Sequence, residues 1–105
     1  MVALHCPATL LVATPPRGAK GVASLVDALA GERVLAVVRP PDLAVGEELA
    51  QRLGAPLEDE PGLATGEAQA ATLGAIADLH RGETVLVLAR PGEVTDAPFV
   101  RLELD

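Results

Sequence analysis

The feature that most constrains the fold is a set of three short aliphatic runs, each of which stops at a proline. They cover residues 9–13, 34–38 and 84–89, and they are followed by Thr14-Pro15-Pro16, Arg39-Pro40-Pro41 and Arg90-Pro91-Gly92. A short apolar run bounded by turn residues is typical of a buried strand, and a proline cannot donate the hydrogen bond that continues a central strand. The pattern therefore predicts three buried strands.

Helical periodicity separates the first two of these runs and continues after the second. Residues 19–30 carry apolar side chains at helical spacing, and Gly31 follows at the position where a helix often ends. A second helix is predicted to begin with Asp42 as its cap and to end at Leu53, before another glycine. The chain thus alternates strand, helix, strand and helix over its first half.

The second half of the chain repeats this alternation and adds one more strand. A third helix is predicted over residues 66–79 with Thr65 as its cap, and residues 99–104 alternate apolar and polar side chains as a half-exposed edge strand does. Strands that alternate with helices favour a parallel sheet covered by helices on both faces. We therefore expect residues 1–105 to form a single α/β domain, a three-layer α/β/α sandwich with a mostly parallel sheet and a final edge strand.

Composition excludes several classes of function. The chain has 8 Lys and Arg against 15 Asp and Glu, a net charge of −7 that repels phosphate backbones, and its single aromatic residue is Phe99. We therefore expect no nucleic-acid partner. No apolar run approaches the length of a membrane span, and one cysteine makes no internal disulfide, so we expect a cytoplasmic protein without a membrane partner. No cofactor is expected, since no glycine-rich nucleotide motif follows the first strand.

An arginine follows each predicted buried strand, and this is the main candidate for a site. In a parallel sheet the carboxyl ends of the strands share one edge, where ligands of α/β proteins bind. Arg17, Arg39 and Arg90, with Thr14, are therefore the candidate residues of an anion site, because guanidinium groups and helix N-termini both favour phosphate and carboxylate. The alternative is that these arginines only pair with the abundant carboxylates.

The other candidate residues have simple structural explanations. His5 and Cys6 are two metal-ligand types side by side, but two ligands do not make a metal site. His80 stands at a predicted helix end, where a cation matches the helix dipole. Residues 58–60 are all acidic and lie in a connector, residues 55–61, that is either a solvated loop or contains a short edge strand near Leu57. We therefore expect no metal site.

Three stretches of the sequence resemble motifs of the histidine phosphatase (phosphoglycerate mutase-like) superfamily. Residues 82–92 read Gly-Glu-Thr-Val-Leu-Val-Leu-Ala-Arg-Pro-Gly, which is similar to the family stretch Gly-Glu-Thr-Val-Leu-Val-Val-Ser-His-Gly. Residues 11–15 read Leu-Val-Ala-Thr-Pro where the family has Leu-Val-Arg-His-Gly, and residues 47–54 are similar to its helix that ends Leu-Gly. The order of elements resembles the family framework along nearly the whole chain.

The resemblance implies a minimal domain that has lost phosphatase chemistry. Thr14 stands where the family has its phosphoryl-accepting histidine, Arg90 replaces the second histidine, and Ala64 or Thr65 replaces the acidic proton donor. Two hypotheses follow: a non-catalytic pseudoenzyme that acts by protein association as a homodimer, or a small protein that binds phosphate or a phosphorylated metabolite. Residual phosphatase activity through His5 or His80 is a third alternative.

Overall fold

The computed structural model describes residues 7–91 and 97–104. Within these residues the chain forms five strands, three α-helices and one short 3₁₀ helix. In chain order they are β1 (Ala8–Ala13), α1 (Gly18–Ala28), β2 (Val34–Arg39), α2 (Ala44–Leu53), β3 (Leu57–Asp59), the 3₁₀ helix (Pro61–Leu63), α3 (Ala70–Leu79), β4 (Thr84–Leu88) and β5 (Val100–Leu104). No helix of the described residues is long and apolar enough to cross a membrane.

The strands form one mostly parallel sheet in the order β3-β2-β4-β1-β5. The pairs β1 with β4, β4 with β2 and β2 with β3 are parallel, and β5 is antiparallel to β1 at one edge. The predicted α/β class is therefore confirmed, together with the final edge strand. The connector contains β3, so the edge strand near Leu57 is present and the solvated-loop interpretation is wrong there.

Two apolar clusters, one on each face of the sheet, hold the three layers together. On one face Leu11, Val37 and Leu86 of the sheet pack with the buried side chains of α1 and α2. On the other face Leu10 and Val85 belong to the cluster that includes the buried side chains of α3 and Leu63 of the 3₁₀ helix. The central strands are buried on both faces, which is why their sequences are continuous aliphatic runs rather than alternating ones.

The register of the parallel strands aligns their carboxyl ends. Ala13 at the end of β1 lies opposite Leu88 at the end of β4, and Val38 near the end of β2 lies opposite Val87. The segments that follow β1, β2 and β4 therefore leave the sheet at the same edge. Thr14 and the candidate arginines were predicted to lie at this edge.

The predicted start of the third helix is wrong. The helix begins at Ala70 rather than at residue 66, and Thr65 is not its cap. Gly66 adopts a positive φ of 84°, and the backbone then runs beside Arg90: the Arg90 N–H donates to the carbonyl of Gly66 at 2.8 Å, and the Ala68 N–H donates to the carbonyl of Arg90 at 3.0 Å. Hydrogen bonding to this distant residue outweighs the local preference for a helix cap.

The predicted cap of the second helix is also wrong. Asp42 adopts a positive φ of 67° and lies outside α2, whose N-cap is Leu43 with no side-chain hydrogen bond to the helix. The other helix limits differ from the predicted ones by two residues or fewer, which is ordinary variation at helix ends.

Candidate functional site

A cavity of about 510 Å³ lies at the carboxyl ends of the parallel strands. It is lined by residues 14–17 after β1, by residues 43–45 at the start of α2, and by Gly66 and Arg90. We refer to it as the strand-end cavity. Its volume is in the range of small-molecule sites, about 300–1,000 Å³.

Three of the four residues predicted for the site line this cavity: Thr14, Arg17 and Arg90. Thr14 and Arg17 belong to the segment that joins β1 to α1. Arg90 follows β4 and is positioned by its two backbone hydrogen bonds with the segment at Gly66 and Ala68. The parallel pairing of β1 with β4 thus brings together two arginines from distant parts of the sequence.

Arg39, the fourth predicted residue, is not part of the described lining. Its Nε donates to Asp59 at 2.5 Å, its Nη1 lies 3.5 Å from a carboxylate oxygen of Glu47, and Nη1 also donates to the carbonyl oxygen of Leu43 at 3.0 Å. The hydrogen bond with Asp59 is the main reason that the pKa of Arg39 lies above its ordinary value. Arg39 therefore pairs with carboxylates, as the alternative interpretation predicts. It contacts Leu43, which lines the cavity, but does not line the cavity itself.

Two helix N-termini contribute residues to the strand-end cavity. Arg17 is the N-cap of α1 and Leu43 is the N-cap of α2, and neither provides a side-chain hydrogen bond to the first turn of its helix. The first turn of α1 also contains no acidic residue. Backbone N–H groups at uncapped helix starts carry partial positive charge, which favours an anion nearby.

The charges around the cavity differ from those of the whole chain. Its described lining contains two arginines and no acidic residue, although the chain carries a net charge of −7. Arg17 is exposed and has no ion-pair partner within residues 7–91 and 97–104, whereas Nη2 of Arg90 lies 3.7 Å from a carboxylate oxygen of Glu67. The Glu67 contact is long and exposed, and such pairs contribute little to stability, so it leaves Arg90 able to contact a ligand.

His80 stands at the helix end that its sequence position predicts, and its side chain is buried there between two carboxylates. It is the C-cap of α3, and its side chain is 9% exposed. Nδ1 lies 2.8 Å from a carboxylate oxygen of Glu83, and Nε2 lies 2.8 Å from a carboxylate oxygen of Glu58 on β3. No local signal in the sequence predicts the second contact, because Glu58 is 22 residues away.

The hydrogen bonds of His80 favour its charged form. Burial by itself lowers the pKa of the ring, but the hydrogen bonds with Glu83 and Glu58 together outweigh burial, and the pKa lies above the ordinary value of 6.5. Ionised carboxylates only accept hydrogen bonds, so both ring nitrogens must carry a proton for both bonds to form. The protonated ring of His80 thus joins the end of α3 to Glu58 on the edge strand β3.

The acidic connector is used for structural contacts. Glu58 contacts His80, Asp59 contacts Arg39, and the side chain of Glu60 accepts a hydrogen bond from the Gly62 N–H at 3.2 Å at the start of the 3₁₀ helix. In the part of the chain that the structure describes, no group of three or more His, Cys, Asp or Glu side chains is arranged to hold a metal ion. His5 and Cys6 lie outside the described residues.

Comparison of the chain with protein-family models, with curated proteins and with solved structures found no match. The resemblance to the histidine phosphatase superfamily stays a prediction from the sequence.

Proposed function

We propose that the domain binds a small anion, a phosphate group or a phosphorylated metabolite, in the strand-end cavity. The observation that carries the proposal is the charge of the described lining, which holds Arg17 and Arg90 and no carboxylate in a chain with a net charge of −7. Guanidinium groups donate paired hydrogen bonds that match phosphate and carboxylate oxygens. The starts of α1 and α2 add backbone N–H groups at the same place.

The predicted resemblance supports a phosphoryl group as the anion. It aligns Thr14 and Arg90 with the two histidines that handle the phosphoryl group in the family, and these two residues line one cavity. Leu43 and Val45 give the wall an apolar part that suits an aliphatic ligand body.

We propose binding rather than turnover. Thr14 provides the hydroxyl of the described lining, and no histidine, cysteine or carboxylate in that lining is placed to activate it as a nucleophile. A binding protein of this kind needs no such base. Turnover of a generic phosphate ester that depends on Thr14 would contradict this part of the proposal.

The test is the thermal stability of the full chain in inorganic phosphate against chloride at matched ionic strength. Phosphate at ten times its Kd is expected to stabilise the folded protein by about 1.4 kcal/mol. In Arg17→Ala and Arg90→Ala each lost guanidinium contact is expected to weaken phosphate affinity about tenfold or more. Arg33→Ala is the matched control, because Arg33 is exposed, has no ion pair within the described residues and does not line the cavity.

The results distinguish a specific site from nonspecific screening and from no binding. Stabilisation by phosphate that is lost in Arg17→Ala and Arg90→Ala but kept in Arg33→Ala supports the site. No stabilisation of the unaltered protein by phosphate or by phosphorylated metabolites overturns the proposal, and so does an equal loss in all three variants, which would indicate nonspecific screening.

Self-association is a second candidate function, and the position of β5 favours it. This strand lies at an edge of the sheet and presents a half-buried apolar face. Edge strands with unpaired backbone groups are sites where another chain pairs.

A further inference from the structure

The outer side of β5 pairs with no other described strand. The sheet ends at β5, whose partners among the described residues are all on β1, from Ala8 opposite Leu104 to Val12 opposite Val100. One row of its backbone N–H and C=O groups therefore has no partner strand within residues 7–91 and 97–104 and can pair with another strand. Beside it, between β5 and α3, lies an apolar groove of about 250 Å³ to which Leu73 and Leu102 contribute.

The sequence of β5 is self-complementary about its central residue. It reads Val-Arg-Leu-Glu-Leu, with apolar side chains at Val100, Leu102 and Leu104 and opposite charges at the two positions between them. If a second β5 runs antiparallel with Leu102 opposite Leu102, then Arg101 lies opposite Glu103 of the partner subunit, and the reverse pair forms as well. A parallel copy in register places Arg101 opposite another arginine, which is unfavourable.

The side chains are divided between the two faces in a way that suits this pairing. Leu102 and Leu104 pack against the cluster on the α3 face, whereas Arg101 faces the α1 side, where its Nη2 donates to Glu32 at 2.6 Å. Glu103 is exposed and has no ion-pair partner within residues 7–91 and 97–104. The antiparallel copy supplies that partner and places its apolar residues beside those of the first copy.

The opposite edge of the sheet does not offer the same surface. There, β3 is three residues long, with Leu57 followed by two acidic residues. Glu58 and Asp59 are held by His80 and Arg39. A second copy at that edge would bring carboxylates together, which disfavours pairing.

We propose that two copies of this chain pair antiparallel through β5, with a two-fold axis at Leu102 and reciprocal ion pairs between Arg101 and Glu103. The two sheets then continue across the interface. The proposal specifies the surface and register of the self-association put forward above and rests on it; it is independent of anion binding at the strand-end cavity.

The test is a charge exchange followed by sedimentation over a series of concentrations. Arg101→Glu and Glu103→Arg each place like charges opposite one another twice in the homodimer, so each is expected to weaken self-association about tenfold or more. A mixture of the two variants restores both opposite-charge pairs, and a heterodimer of near-original affinity is expected. Arg52→Glu, a change of the same charge at an exposed position of α2, is the control and is expected to leave association unchanged.

Circular dichroism of each variant establishes that it folds. Arg101→Glu also removes the contact with Glu32, whereas Glu103→Arg removes no ion pair within the described residues, so the second variant keeps the test decisive if the first fails to fold. A monomeric original protein at every concentration overturns both self-association and this register. A dimer that the exchanges leave unaffected, or that mixing does not restore, overturns the β5 register while self-association stands.

Discussion

Nε2 of His80 lies 2.8 Å from a carboxylate oxygen of Glu58, and this contact joins the end of α3 to the edge strand β3. The same ring contacts Glu83 through Nδ1 at 2.8 Å. A buried imidazole held between two carboxylates is a charged group that the fold itself stabilises, and its protonation is coupled to folding.

The first prediction is that His80 makes stability depend on pH. Its folded pKa lies above the ordinary 6.5, so its contribution is fully present below pH 6.5 and is lost as the pH rises through the folded value. His80→Gln is expected to lower the free energy of unfolding by about 1–3 kcal/mol below pH 6.5, because the variant loses the charge-assisted hydrogen bonds. The loss is expected to be smaller at alkaline pH, where the ring of the original protein is neutral. Urea unfolding of the original protein and of His80→Gln, at a series of pH values above those at which carboxylates titrate, measures the difference in the free energy of unfolding. A cost that is the same at every pH would contradict a charged ring.

The second prediction concerns the two carboxylates. Glu58→Gln and Glu83→Gln are each expected to lower the pKa of His80, and the double variant to lower it further, because each carboxylate stabilises the charged ring. The ring C–H signal of His80 in an NMR titration reports this pKa directly. Glu48→Gln on α2, where Glu48 pairs with Arg52, removes the same charge elsewhere and should leave the titration unchanged.

The third prediction is that α2 requires a glycine where it crosses Arg39. A Cβ on Gly46 would lie 2.8 Å from Cδ of Arg39 and 3.3 Å from Cδ1 of Leu57. Gly46→Ala is therefore expected to destabilise the protein by about 1–3 kcal/mol through overpacking. Gly74→Ala in α3, where a Cβ meets nothing within 4 Å, is expected to stabilise by about 0.5–1 kcal/mol. Urea unfolding of both variants checks the pair, and a gain from Gly46→Ala would show that Arg39 moves freely.

The fourth prediction is that the turn at Gly66 requires its positive φ of 84°. Gly66→Ala is expected to lower the free energy of unfolding by about 1–2 kcal/mol through backbone strain. A steric clash does not contribute, because the new Cβ would lie 3.6 Å from Nη2 of Arg90, which is an ordinary contact distance. Gly31→Ala, at a position where a Cβ meets nothing within 4 Å, is the control. Thermal unfolding compares the two, and equal melting temperatures would contradict the strain argument.

Local sequence determined the strands and most of the helices. A proline follows soon after each aliphatic run, and helical apolar periodicity separates the runs. Both signals act within a few residues, so the sequence predicts β1, β2 and β4 with small errors at their ends. The placement of Thr14, Arg17 and Arg90 at one edge also followed from the sequence, because parallel strands align their carboxyl ends.

Only the tertiary structure decided which partner each polar group meets. Arg39 binds Asp59 and His80 binds Glu58, which are 20 and 22 residues away, because β3 pairs with β2 in one particular register. The segment after Thr65 extends beside Arg90 instead of starting α3, because Gly66 and Ala68 form backbone hydrogen bonds with Arg90, which follows β4. Hydrogen bonds and ion pairs between distant residues depend on how strands align in space, and local preferences are too weak to determine that alignment.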